Sequence, residues 1–428
     1  MFGKGCRVRS VGIGPPSRWG MSRIVCWVLL TWKPIIAEAA EIIPEWSDPR
    51  AEAVGGAYGP IVNDENAAYS NPAGLANSHS PRSKDKLHRF VFPGLVIQAD
   101  DSLRQSLKKH KRDINASLEE QAAQTLAGSS RAMSVASYTA VIFGASKRPT
   151  TFLLGFPVRS WYEWKPSEQD GVTTLQQTSF SMYGVNVGVA GRSAIGRVSA
   201  GLVARPHLRS ATQTQWTQAD QATTKELIKA AKSKSTRSTF IPVDVGFLFT
   251  AADFWLPTLS IAARNIPTGC ISDYTSRYNG KVYSVCGTKG SYTSETGEFQ
   301  ELRLQPAELR GGFSISPRFK ISSSQRMNLR LSGEVYPIPV KSGSNYYGEP
   351  ELPLNRLLHA GAEVSFGSIF DEKGIALFGG LRKGQTSYGI SLQMLGLALQ
   401  YSSFLVDVGT DKEPQIEKRH LLGFGIDF

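Results

Sequence analysis

Along most of the chain, and most regularly from about residue 240 onward, apolar residues alternate with small or polar ones. A period of two is the spacing of an extended strand whose two faces meet different surroundings. Ile241, Val243, Val245, Phe247 and Phe249 share one face opposite Asp244 and Gly246, and Leu358, Ala360, Ala362, Val364 and Phe366 oppose His359, Gly361, Glu363 and Ser365. Marked out this way, the sequence predicts fourteen strands: 88–99, 131–145, 150–163, 178–190, 196–209, 240–250, 257–266, 309–320, 326–336, 355–367, 374–383, 386–393, 396–406 and 418–428.

A soluble sandwich alternates in the same way, so periodicity by itself leaves two architectures open. Link lengths separate them. Odd-numbered strands are followed mostly by long stretches (100–130, 164–177, 210–239, 267–308, 337–354, 407–417) and even-numbered ones by short turns, with only the link near Gly384 breaking the rule. Long loops at one end and short turns at the other are the pattern of bacterial outer-membrane barrels. The expected fold is an all-β transmembrane antiparallel β-barrel of about fourteen strands over residues 87–428. Closure leaves no unpaired edge in lipid, where each unsatisfied backbone group costs several kcal/mol.

The first forty residues change the picture of where this barrel works. Arg23, the apolar run Ile24 to Leu30 and the small-residue stretch Ala37, Glu38, Ala39, Ala40 have the order of a secretory signal. The apolar run is shorter than the ~20 residues a membrane-spanning helix needs. A signal peptide over 1–40, starting at Met1 or at Met21, is therefore expected, followed by an N-terminal hatch or plug over 41–86. Removing residues 1–39 leaves 42 basic against 35 acidic side chains, a net charge of +7. Much of that excess falls in two helix-like polar insertions in the loops, Ser102 to Ala127 and Thr224 to Arg237, which read as solvated loop faces rather than as nucleic-acid contacts.

Gly (41 residues) and aromatics are plentiful, and charged residues reach only 20%, which suits strands and turns. Cys270 and Cys286 bracket a turn-rich segment, and in an exported chain that spacing suggests a disulfide closing a loop. The final strand sets Leu422, Phe424, Ile426 and the terminal Phe428 on one face. A chain ending on an aromatic in such a strand resembles the signal read by the outer-membrane assembly machinery, an expected partner alongside outer-membrane lipid.

Between leader and first strand stand Gly55, Gly56 and Ala57, then Asn71, Pro72, Ala73 and Gly74 followed by Leu75. These two pieces resemble the N-terminal hatch of the FadL-type outer-membrane protein superfamily. Within that group the chain looks closer to the PorV-like and TraF-like branches, on the insertion after the first strand and the Leu358 to Phe366 run. The resemblance implies a hatch folded inside the lumen of a fourteen-stranded barrel.

Polar residues on the inner stripe, Arg318, Lys320, Arg330, Glu334, His359 and Glu363, are then expected to line the lumen and hold the hatch. No Gly-rich phosphate loop, HExxH pair, GxSxG elbow or Cys-x-x-Cys occurs, so neither catalysis, a metal nor another cofactor is expected. His359 and Glu363 share a face four residues apart, which could be read as an acid/base or metal fragment but is better read as lumen lining. The resemblance implies passage of a hydrophobic small molecule across the outer membrane. The long basic and cysteine-bearing loops leave open a structural or adaptor barrel serving a secretion-system or surface protein.

Overall fold

The structure, a computed structural model, describes residues 45–78, 88–101, 131–144, 149–169, 172–217, 236–267, 275–278, 281–284, 289–294, 297–303, 308–322, 325–338, 340–342, 345–347, 357–368, 374–394, 396–407 and 416–426. The predicted leader, both cysteines, the first polar insertion and Phe428 lie outside this set.

Fourteen antiparallel staves close on themselves. They are β1 (His88–Asp100), β2 (Arg131–Phe143), β3 (Thr150–Gln169), β4 (Val172–Gly184 continued by Asn186–Arg192) and β5 (Val198–Ala204 continued by His207–Thr217). Next come β6 (Thr236–Phe240 continued by Pro242–Thr250), β7 (Thr258–Pro267), β8 (Glu308–Ile315 continued by Arg318–Lys320), β9 (Gln325–Ile338) and β10 (Leu358–Ser368). The last four are β11 (Gly374–Arg382), β12 (Gln385–Met394), β13 (Leu397–Asp407) and β14 (Ile416–Ile426). Each pairs with the next in sequence, and the ring shuts where β1 meets β14, from Leu95 opposite Phe424 to Asp100 opposite Arg419. Three small hairpins, Thr275–Tyr278 with Lys281–Ser284, Lys289–Ser294 with Gly297–Arg303, and Val340–Ser342 with Asn345–Tyr347, stand outside the ring in the long links.

The apolar stripes face outward. Phe152, Leu259, Ile261, Phe313, Leu377, Ile390 and Leu399 are each between 44 and 55% exposed while their neighbours along the strand point inward. A water-soluble chain does not leave such a belt uncovered on every stave, and no helix among the described residues is long and apolar enough to cross a membrane. The belt meets acyl chains, and the barrel spans the membrane with its strands.

Every predicted stave is present, and the largest departure is an extension. Residues 164–169 and 172–177, expected as part of a loop, instead prolong β3 and β4, which pair from Trp164 opposite Gln177 up to Gln169 opposite Val172. Beyond the bilayer a strand needs no greasy face, so a backbone ladder can continue through a polar sequence that hydropathy marks as loop. β5 and β4 continue likewise to Thr217 opposite Thr174.

The wall is interrupted along one line. β1 shifts register between Val91 and Gly94, around Pro93, and the ladder of β3 to β4 is interrupted around Pro157, between Gly155 opposite Asn186 and Val158 opposite Tyr183. β4 breaks at Val185, β5 at Arg205 and Pro206, β6 at Ile241, and β7 shifts between Ala263 and Ile266. Proline removes a ladder donor, so its recurrence at one level weakens neighbouring pairings together. Two backbone bonds bridge the line, Val185 N–H to the Pro206 carbonyl (2.9 Å) and Arg205 N–H to the Pro242 carbonyl (2.9 Å).

Candidate functional site

The N-terminal segment is built of tight, capped turns. Asp48 caps the short helix α1 (Pro49–Ala53), accepting from Ala51 N–H at 2.8 Å, with Pro49 at the first position, where its missing donor costs nothing. Asp64 and Asn71 cap the 3₁₀ turns Glu65–Tyr69 and Pro72–Asn77 in the same way, each accepting at 3.0 Å. Between them the chain reverses at Gly55 (φ +67°) and Gly56 (φ +81°), a conformation L side chains adopt only with strain. Ala57, Ala73 and Asn71 have no exposed surface, and Pro72 and Gly74 are buried with them.

This segment lies against the inner faces of the staves, and the wall makes room for it with glycine. A Cβ at Gly246 would sit 1.9 Å from Asn71 Oδ1, one at Gly201 2.4 Å from the Pro72 carbonyl, one at Gly361 2.5 Å from the Val54 carbonyl, and one at Gly380 2.3 Å from Gly55 N. Backbone meets backbone here at distances no larger residue permits. The apolar filling is modest, with Val54, Tyr58, Val62 and Leu75 packed beside Tyr138, Ile142, Leu153 and Val203.

Polar contacts supply the register. Asn71 donates to Ser260 Oγ (2.9 Å) and to the carbonyls of Phe247 (3.2 Å) and Ile261 (3.4 Å), so one amide joins the segment to β6 and β7. Asn71→Ala should lower stability by about 1–3 kcal/mol, through the lost cap and the wall groups left unsatisfied. A denaturation midpoint followed by tryptophan emission would measure it, and an unchanged midpoint would rule out the anchoring role.

On the far wall Arg50 donates to Glu363 through Nε (2.9 Å) and Nη2 (2.8 Å), while Arg330 holds the other Glu363 oxygen at 2.8 Å. Glu334 accepts from Gly59 N–H at 3.1 Å, and Nδ1 of His359 donates to the Gly55 carbonyl at 2.8 Å. His359 stacks on Tyr336 (3.9 Å, 8°), whose ring also meets the Arg310 guanidinium at 3.8 Å and whose hydroxyl donates to the Gly56 carbonyl at 3.2 Å.

A third group lies at the interrupted line of the wall. Arg205 is buried and donates to Asp244 (2.9 Å), Glu45 and Asn265, and Arg209 donates to the other Glu45 oxygen. Arg264 bridges Asp244 (3.4 Å) and Glu308 (3.0 Å). Burial alone would raise the Glu45 carboxyl, but the guanidinium groups of Arg205 and Arg209 outweigh it and hold the carboxyl well below the usual range. Asp48 goes the other way, raised by burial and then by the charge of Asp64. Asn186 donates to the hydroxyls of Tyr69 (2.9 Å) and Tyr138 (3.0 Å), whose rings meet Trp46 at 5.6 and 5.3 Å.

Of the six residues predicted to line the lumen, Glu334, His359 and Glu363 touch the segment directly and Arg330 does so through Glu363. Arg318 and Lys320 share the inward stripe but are exposed, beside the short link 321–324 and away from the segment. Glu363 and His359 are thus occupied by Arg50 and Gly55, and among the described residues no cluster of three or more His, Cys, Asp or Glu could hold a metal. Leu422 and Phe424 face outward on β14, with Ile426 at its end. Sequence reasoning missed Glu45, Arg205, Asn186 and Asn265. The available signal was proline inside predicted strands, at Pro93, Pro157, Pro206 and Pro242.

Fold and interior together define the class: a transmembrane β-barrel carrying its own N-terminal segment against its inner wall. No family model and no curated protein sequence matches the chain. Among solved structures it is similar to the Ralstonia pickettii toluene transporter TbuX, at 10% identity over 90% of this chain and 98% of that one, with a TM-score of 0.44. The Pseudomonas putida toluene transporter TodX follows at 9% identity over 91% and 99% of the two chains, TM-score 0.43. A Pseudomonas aeruginosa FadL homologue shows 8% identity over 91% and 99%, TM-score 0.37. The architecture itself rests on this chain's own closed strand ladder.

Proposed function

We propose that the chain is an outer-membrane barrel through which a hydrophobic small molecule passes, with residues 45–78 acting as a hatch that blocks a wide aqueous pore. The observation that carries this reading is the seat itself: the segment is fitted to glycines on several staves and hydrogen-bonded, through Glu45 to Arg205 and Arg209, beside the stretch of wall whose ladder is interrupted. A segment seated against the inner wall next to an interrupted ladder favours a narrow route ending sideways in the membrane over an open water channel. Export by the leader over 1–40, insertion through the Leu422 to Phe428 signal and a Cys270–Cys286 disulfide in a loop complete the reading.

The three hairpins outside the ring favour a second reading, an adaptor barrel whose long loops dock a secretion or surface-assembly partner. Detergent extraction separates the two. Passage predicts bound hydrophobic compound or lipid in the purified protein, together with small ion conductance in a planar bilayer. A stoichiometric protein partner without bound lipid would favour the adaptor, and conductance of a wide water-filled porin would overturn the hatch.

A further inference from the structure

Three staves run on past their neighbours at the long-link end of the barrel. The ladder of β3 and β4 continues to Gln169 opposite Val172, and that of β4 and β5 to Thr174 opposite Thr217. Among the described residues β2 stops pairing with β3 at Arg131 opposite Trp164, and β6 stops pairing with β5 at Thr236 opposite Ala211. A three-stranded ribbon therefore extends past the paired wall and has two backbone edges, residues 165–169 of β3 and Thr212–Thr217 of β5.

The two edges differ in sequence. An edge strand offers a row of N–H and C=O groups to any passing chain, and proteins that must not gain a strand guard such an edge with lysine, other charges or proline. Along 165–169 stand Lys165, Pro166, Ser167, Glu168 and Gln169, so that one edge carries two charges and a residue with no N–H to offer. Thr212, Gln213, Thr214, Gln215, Trp216 and Thr217 include no charge and no proline, and Thr and Trp are residues that strands favour. At about 3.4 Å per residue this unguarded edge is roughly 20 Å long, the length of an ordinary strand.

We propose that Thr212–Thr217 is a docking edge on the outer side of the membrane, to which another protein adds one extended, uncharged segment as a further strand beside β5. Main-chain hydrogen bonds supply the affinity in strand addition. An uncharged edge selects an uncharged segment, because a charged one would give up water with no opposite charge to meet. A second copy of this chain does not fit. Copies in one membrane are related by rotation about the membrane normal, so their tilted β5 strands all run outward, whereas two identical edges pair symmetrically only when antiparallel. The proposal rests on the strand ladder and not on the passage of any ligand, and it names a surface other than the three hairpins.

Amide hydrogen exchange on the mature chain provides the test, first in outer membranes isolated from the cells that make it and then after purification in detergent. The amides of Thr212–Thr217 that β4 does not bond should exchange about tenfold more slowly in the membranes than after purification. Amides of His207–Ala211, paired on both sides, should exchange alike in the two. Gln213→Lys combined with Gln215→Lys should abolish the difference without moving the denaturation midpoint, and Ser167→Lys on the guarded edge should leave it in place. Edge amides that stay slow after purification would show that the chain's own link 218–235 covers the edge, and edge amides fast in both settings would show that no strand is added. Either result overturns the proposal. So does protection that returns in protein-free phosphatidylcholine vesicles, which would assign the edge to lipid, or that survives the pair of lysines.

Discussion

Replacing Arg205 by methionine should loosen the N-terminal segment and cost about 3–5 kcal/mol, the range for removing one partner from a buried ion pair. Arg205 is 1% exposed and serves Glu45, Asp244 and Asn265 at once, with its guanidinium over the Tyr69 ring at 5.3 Å. Arg209 still reaches Glu45 and Arg264 still reaches Asp244, which places the expected loss toward the lower end of the range. The cost arises because a carboxylate left in the lumen keeps its desolvation penalty and loses the cation that offset it. The denaturation midpoint, and protease cleavage within 45–78, would both report it. Adding Asp244→Leu should return part of the loss, since the two side chains then leave together. A loss below about 1 kcal/mol would show that the cluster does not hold the segment.

The second large effect concerns space rather than charge. Gly246→Val should be destabilising by about 2–4 kcal/mol, combining overpacking with displacement of the Asn71 cap. The first added carbon already overlaps Asn71 Oδ1 and lies 2.9 Å from both Ala73 N and Pro72 Cδ. Gly379→Val on β11 is the control, because a Cβ there meets nothing within 4 Å. If both substitutions shift the midpoint equally, the glycines serve the strands themselves and not the seat of the segment.

Much of the barrel was legible before any coordinate. The alternation of Leu358 to Phe366 against His359 to Ser365 gave β10 its two faces, because a stave exposed to lipid on one side and to polar groups on the other must repeat every second residue. The stretches 164–169 and 172–177 were not legible as strand, since their sequence carries no apolar period of two and it is the backbone ladder of β3 and β4 that pairs them. Glu334, His359 and Glu363 were readable as inward and polar. That Glu363 meets Arg50, 313 residues earlier, was not, because their proximity follows from closure of the ring around the segment.

By itself the sequence determined the number of staves, their order and which stripe of each is greasy, all consequences of a local period interacting with lipid. Tertiary structure alone decided which glycines face the segment's backbone, that Glu45 enters a box of arginines, and that interruptions on several staves fall on one line. These depend on strand register and on where the N-terminal segment comes to lie, quantities fixed by packing around a closed ring and carried by no short stretch of residues.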